Sequence, residues 1–385
     1  MKYLLALILF SFLIVNCNQT ETNGSLFSSK KHDPPAATDS VKYKAEIYRI
    51  DTLFQKLYLS DAFIGNVLVA RGSTIIYKKS FGYGIKETKK LHTDSSLFQL
   101  ASVSKVITGI AILILKEQGK LDLDKPVSEI LTGFPYEGVT VRQLLSHRSG
   151  LPNYIYFCSD MLPDKPDLIT GQDMLDAMIR NKPKAWLKPN TQFNYCNTNY
   201  ALLALIIEKT SGKTYSEFLS DEIFIPLGMK HTFTQQNVDF KGANITLGYT
   251  IKYQQVAKDR YDGVLGDKGI YTTTYDLFLL SNALYQNKIL TKETQDLAYT
   301  PNSPEKKLSN YGLGWRMNMN APSKEVFHNG WWHGYRTSFH RRLKDSLTIV
   351  VLSNRLNRSV YSTWRIYGAI DGPLVAGAAP APEEE

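Results

Sequence analysis

The chain has 385 residues, 43% hydrophobic and 21% charged, with 25 Gly and 16 Pro; these proportions exclude a disordered, collagen-like or coiled-coil protein. Lys and Arg outnumber Asp and Glu by 45 to 36, a formal charge of +9. The basic residues are scattered, the densest groups being pairs such as Lys78-Lys79, Lys89-Lys90 and Arg341-Arg342. No basic face or run marks a nucleic-acid binder, and a diffuse excess serves solubility or a mild attraction to an anionic envelope surface. Three cysteines at these spacings make neither a disulfide framework nor a zinc site.

In chain order, Met1-Lys2 precedes an apolar run over residues 3–15, broken only by Ser11 and the Tyr3 hydroxyl. That length suits a signal-peptide core and is too short to span a bilayer. The run ends in Leu13-Ile14-Val15-Asn16-Cys17, which resembles a bacterial lipoprotein cleavage box, with Asn16 where a small residue is usual. The expectation is a signal peptide over 1–16, lipidation at Cys17 and a polar tether over 17–41. A membrane is then a partner through a lipid anchor, and the protein is exported to the cell envelope.

The folded body is expected over 42–372, followed by a low-complexity tail, 373–385. Residues 41–59 carry helical spacing at Ile47, Ile50, Leu53, Phe54 and Leu57. Residues 65–70 and 74–77 flank Arg71-Gly72-Ser73, a hairpin signal. Residues 103–118 read as a helix apolar on most sides and therefore buried. Helical patterns then dominate to about 300, including 200–209, 215–219 and 274–286. Strands return at 311–317, 334–342 and 347–353, followed by a helix near 359–369. Strands at both ends with helices between predict an α+β fold without a βαβ rhythm. Its antiparallel sheet is built from both chain ends, about 42–100 and 305–372, with a mostly helical subdomain inserted at about 101–304.

Three short boxes carry the chemistry. In Ser102-Val103-Ser104-Lys105 the Ser opens a buried helix, where its backbone N–H has no intrahelical partner. Lys105, three residues on, shares its face and can reach the hydroxyl; a buried Lys can shed its proton and act as a base. The same spacing recurs at Ser28–Lys31, in the tether, and at Ser303–Lys306, in a Pro-containing loop, and neither offers a helix. Tyr195-Cys196-Asn197 places a phenol and an amide on one side of an extended segment. There Tyr can pass a proton and Asn can hold a substrate amide or orient the Lys; a core Tyr followed by a helix-capping Asn is the plain alternative. A second Tyr-x-Asn, Tyr285 to Asn287, falls at a helix end. The third box, His328-Asn329-Gly330-Trp331-Trp332-His333-Gly334, has glycines that permit close backbone approach of a ligand. A packed, hydrogen-bonded His328 beside a hydrophobic Trp edge is its plain alternative.

Taken together and in this order, the boxes resemble those of the serine β-lactamase and penicillin-binding protein family, especially its class C, DD-peptidase and esterase branch. Phe98-Gln99-Leu100-Ala101-Ser102, residues 121–126, 141–152 and 266–271 look like family segments as well. The resemblance covers about 42–370. It implies a site in a cleft between sheet and helices, with Ser102 as nucleophile, Lys105 as partner base and Tyr195 as proton shuttle. It further implies that Asn197, His328, Gly330 and Trp331 meet the substrate, and that the N–H groups of Ser102 and Trp331 form the oxyanion hole. The implied partner is a small-molecule or cell-wall peptide substrate, and no metal or organic cofactor is needed.

His328 stands where many relatives carry Lys, and Asn329 replaces a hydroxyl residue that often binds a substrate carboxylate. Both weaken the case for efficient β-lactam hydrolysis and leave esters and other amides open. With a near-normal pKa, His328 is expected to make turnover depend on pH between about 5.5 and 7.5. Cys196 reads as a small filler, and a Cys158–Cys196 disulfide stays open. His147, flanked by Ser146 and Ser149, belongs to a family segment as structure, and no Gly-x-Ser-x-Gly elbow occurs. The leading expectation is an envelope-anchored serine hydrolase. The competing one is a weak or inactive protein of the same fold that binds or senses cell-wall peptides or β-lactams.

Overall fold

Alternation of inward and outward side chains builds one sheet from the two ends of the chain. The computed structural model describes residues 42–162, 166–237, 242–319 and 324–372. The expected signal segment, Cys17, the tether, the Ser28–Lys31 decoy and the tail after 372 lie outside the described residues. The sheet contains β1 (Gly65–Arg71), β2 (Thr74–Phe81), β3 (Ser309–Tyr311), β4 (Arg316–Asn318), β5 (Glu325–Trp332), β6 (Tyr335–Arg342) and β7 (Leu347–Ser353). Their spatial order is β2-β1-β7-β6-β5-β4-β3. The first and last strands are therefore neighbours, with Val67 facing Val351 in an antiparallel register. This is the α+β arrangement expected, a sheet assembled from both chain ends.

The helices that matter here are α1 (Lys44–Leu59), α2 (Ser104–Glu117), α3 (Asn197–Ser211), α4 (Thr274–Tyr285) and α5 (Thr363–Asp371). Period-two alternation sends Val67, Val69, Ile349 and Val351 to one face of the sheet. There they pack with Ile50 and Phe54 of α1 and Ile366 and Ile370 of α5. Leu68, Ala70, Val350 and Leu352 point the other way, into the larger core shared with α2, α3 and α4. Both faces are covered, which explains why β7 is buried along its whole length.

Three elements differ from the sequence expectation. The strand expected at 311–317 is two, β3 and β4, which turn at residues 312–315 and pair antiparallel with Tyr311 opposite Arg316. The third box is itself a strand, β5, paired with β6 from Glu325 through Trp332; its His, Asn and Gly residues hid it from a β-propensity reading. A small second sheet also crosses the region expected to be helical. Phe98–Gln99 and Phe233–Thr234 both pair with Ile270–Thr272, through runs too short to show a period.

Candidate active site

Ser102 lies in a 3-10 turn, Ala101–Val103, that runs directly into α2. Every residue of α2 from Ser104 to Leu115 is buried, so the core fixes the helix and with it this turn. Ala101 carries a left-handed φ of +50°, a conformation that costs an L-residue about 1–2 kcal/mol. Its neighbours impose it: Leu100 N–H donates to the Ile270 carbonyl at 2.8 Å, and Thr337 Oγ1 donates to the Leu100 carbonyl at 2.6 Å. Gly330 completes the contact. A Cβ there would stand 2.3 Å from the Leu100 oxygen and 3.0 Å from the Ser102 nitrogen, so only glycine lets β5 come this close. Because β4 pairs with β5 only as far as Phe327, the β5 edge beyond it has no strand neighbour on that side and meets this turn.

Lys105 is fully buried. Its Nζ lies 3.0 Å from Ser102 Oγ, 2.9 Å from Asn197 Oδ1 and 2.9 Å from the Asp267 carbonyl oxygen. The last two oxygens can only accept, so each takes one amine proton. A neutral amine then turns its lone pair to the Ser102 hydroxyl, whereas an ammonium turns its third N–H there. The nitrogen can accept and return a proton without moving. The Asp267 carbonyl is an acceptor that sequence reasoning missed, since nothing in a residue type marks a backbone oxygen. It is held because Thr108 Oγ1 donates to the adjacent Gly266 carbonyl at 2.7 Å.

Tyr195 and Asn197 stand at the N-terminal end of α3. Asn197 Oδ1 accepts from Lys105 Nζ, which turns its amide N–H groups away from the amine. The Tyr195 ring centroid is 5.1 Å from Lys105 Nζ, and its hydroxyl makes no hydrogen bond among the described residues. Cys196 is buried, as is Cys158, and both thiols are free. Cys196 is pushed up to about 11 by burial, which suits a filler and not a nucleophile. Of the decoys, Ser303 lies in a loop with its backbone bonded to Asn310. The Tyr285 hydroxyl caps the Arg342 and Leu347 carbonyls.

His328 corrects an expectation. It is fully buried, its Nδ1–H donates to the Asn329 carbonyl at 2.7 Å, and its Nε2 accepts from the Tyr311 hydroxyl at 2.9 Å. Burial, then the charges of Arg316 and Lys105, hold its pKa well below the ordinary value. The near-normal titration expected of it does not hold, because burial and the two neighbouring cations disfavour the imidazolium. The fixed positive charge of this region is Arg316 on β4, a residue the sequence reading did not single out. Its guanidinium lies 5.1 Å over the Tyr195 ring, its Nε is buried without a partner, and no carboxylate pairs with it among the described residues. The one clue was a lone Arg in a strand whose neighbours Trp315 and Met317 are core residues.

Trp331 is half-exposed, with the Arg336 guanidinium 4.7 Å over its ring. Trp332 Nε1 donates to Asp262 Oδ1 at 2.8 Å. Asp259, Asp262 and His333 are a possible metal-ligand set, but His333 Nε2 lies 3.2 Å from Asp262 Oδ1 and 3.6 Å from Asp259 Oδ2. Although burial opposes it, the two carboxylates push His333 up to about 9, so near neutrality the imidazole is a cation paired with acids. Its raised value sets the sign of a pH effect. The stabilisation is fully present below the unfolded value of about 6.5 and is lost as pH rises through about 9. His333→Gln should therefore lower the melting temperature at pH 6 and match wild type at pH 10; a constant gap would refute the ion pair.

The β-lactamase family model matches residues 54–369. Penicillin-binding protein 4* of Bacillus subtilis (strain 168) is 35% identical over 336 residues, 81% of this chain and 72% of that protein. The octameric penicillin-binding protein homologue from Pyrococcus abyssi has a TM-score of 0.73 at 26% identity, covering 87% of this chain and 78% of that one. D-amino acid amidase from Ochrobactrum anthropi SV3, complexed with L-phenylalanine amide, has a TM-score of 0.70. At 22% identity, over 85% of this chain and 98% of that one, it shows likeness of fold alone. The chain belongs to the β-lactamase family and is a serine hydrolase of the β-lactamase and DD-peptidase type.

Proposed function

We propose that this chain is an envelope-anchored hydrolase that forms an acyl-enzyme on Ser102 and acts on amide, ester or β-lactam carbonyls. The observation that carries this reading is the three-way seat of the Lys105 amine against Ser102 Oγ, Asn197 Oδ1 and the Asp267 carbonyl. In the proposed step Ser102 Oγ attacks the carbonyl carbon and its proton passes to the Lys105–Tyr195 pair. Which of the two holds it belongs to the coupled pair. The oxyanion rests on the N–H groups of Ser102 and Trp331, each such donor being worth about 10²–10³ in rate. Tyr195, its hydroxyl unengaged, protonates the leaving group as the tetrahedral intermediate collapses. Water then attacks the acyl-enzyme, releases the acid and restores Ser102.

The test is a covalent adduct. Intact protein treated with a fluorescent penicillin and, separately, with a fluorophosphonate should gain one probe mass, and peptide mapping should place it on Ser102. A probe elsewhere, or none with either reagent, overturns the reading. Anchoring rests on the apolar leader, on Cys17 and on likeness to penicillin-binding proteins. Mass spectrometry of the natively processed N-terminus should find Cys17 acylated.

Arg316 supports a preference for substrates with a free carboxylate, since its guanidinium lies beside Tyr195 and pairs with no acid among the described residues. A charge-assisted hydrogen bond is worth about 1.5–3 kcal/mol. Arg316→Met should therefore lower kcat/KM for an acyl-D-alanyl substrate by about 10–100-fold, while a neutral ester changes only a few-fold. Equal losses on both would assign Arg316 to support of Tyr195 alone.

A further inference from the structure

The resemblance treats His147 as part of a structural segment; its contacts give it a more specific task. The residue is fully buried and carries a left-handed φ of +56°. From that position it reaches the second box twice. Its carbonyl accepts the Asn194 N–H at 2.8 Å, and its ring Nδ1 accepts the Cys196 N–H at 3.2 Å. The amides on either side of Tyr195 are thus both held by one residue. Its ring centroid also lies 4.3 Å from that of Tyr195, so the phenol rests on the imidazole that grips its backbone.

The imidazole is neutral, with its proton on Nε2 because Nδ1 accepts. Burial, then the charges of Lys105, His328 and Arg316, keep its pKa well below the ordinary value. Asn199 Nδ2 stands 3.1 Å from the same Nδ1, and Asn199 Oδ1 accepts from Ser149 Oγ at 2.6 Å. A ring flip would set the Cδ2–H against these two donors, and moving the proton to Nδ1 would face them with an N–H. The rings of Tyr200 and Tyr311, at 5.1 and 4.8 Å, close its remaining sides. Nothing in this arrangement touches Ser102, so His147 has no direct part in bond making.

We propose that His147 is the positioning residue for Tyr195, setting the phenol against Lys105 by holding the amides of residues 194 and 196 and supporting the ring from below. This rests on the acyl-enzyme reading and adds to it the origin of the shuttle's placement. The local requirement is double. The residue must tolerate left-handed backbone, which favours Gly, Asn and few others, and it must present an acceptor where Nδ1 stands. Asn meets both demands, since its Oδ1 sits where Nδ1 does. Gly meets only the first.

The test uses the full chain and measures kcat and KM on one activated ester, with melting temperatures alongside. His147→Gly should lower kcat by about 10²-fold, the cost of a misplacement of about 1 Å, with KM nearly unchanged. His147→Asn should stay within a few-fold of wild type. In a Tyr195→Phe background His147→Gly should cost almost nothing further, because the group it positions is gone. Additive losses would overturn the proposal, as would an Asn variant as poor as the Gly variant or one that does not fold. Should the Gly variant not fold, the Asn result decides alone, retained kcat supporting the proposal and a loss equal to that of Tyr195→Phe overturning it. A Ser102→Ala protein that still turns over the ester would instead sink the acyl-enzyme reading itself, which separates the two failures.

Discussion

Ser102→Ala should abolish covalent labelling by penicillin and fluorophosphonate probes while leaving the melting temperature within about 2 °C of wild type. Chemically, Ser102 Oγ has the Lys105 amine at 3.0 Å and the free edge of β5 beside it. Energetically, the change removes one oxygen from a half-buried turn. The lost hydrogen bond to Lys105 is worth about 1 kcal/mol, and in a domain of this size that moves the transition by about 2 °C or less. Lys105 keeps its bonds to Asn197 and the Asp267 carbonyl, so no buried amine is stranded. Ser303→Ala is the matched control, because Ser303 has the same spacing to a Lys but sits in a loop. Labelling of the Ser102→Ala protein at the wild-type level would remove Ser102 from the mechanism.

What could be read from the sequence was what local spacing determines. Ser102 and Lys105 are three residues apart on a helix whose apolar run leaves no doubt of its burial, so their meeting follows from helix geometry. Tyr195 and Asn197 needed only an extended segment before a helix. The sheet from both chain ends followed from where the alternating runs fall. What escaped were contacts between residues far apart in the chain. His328 is buried, bonded to Tyr311 of another strand and close to Arg316 and Lys105, and its strand position gives no hint of those neighbours. Arg316 lies over Tyr195 only because β4 and the start of α3 meet. The Asp267 carbonyl and the grip of His147 on residues 194 and 196 are backbone contacts, invisible to any pattern of side chains. The His328 expectation failed for the same reason: a reference pKa describes a solvated ring, and this ring is fully buried.

Lys105→Met and Lys105→Arg, compared, should distinguish a base from a mere charge. If the amine takes the Ser102 proton, Met, which has no basic nitrogen, should slow acylation by about 10³–10⁴-fold, the upper range for a positioned acid or base. Arg keeps the positive charge and can still donate to Asn197 Oδ1 and the Asp267 carbonyl, but its guanidinium does not give up a proton in this pH range. It should therefore be nearly as slow as Met. Were Lys105 only an electrostatic aid to the oxyanion, Arg would retain most of the rate and only Met would fail. Folding must be followed in both, since the side chain is fully buried and Met leaves two acceptors without their donor, at about 1–3 kcal/mol. That cost lowers the melting temperature by several degrees yet leaves a folded protein at 25 °C, where stopped-flow acylation by a fluorescent penicillin reads the rate. Because Met and Arg differ in charge but share the missing lone pair, similar rates in the two variants can come only from loss of the base, and a fast Arg variant would assign proton transfer to Tyr195 alone.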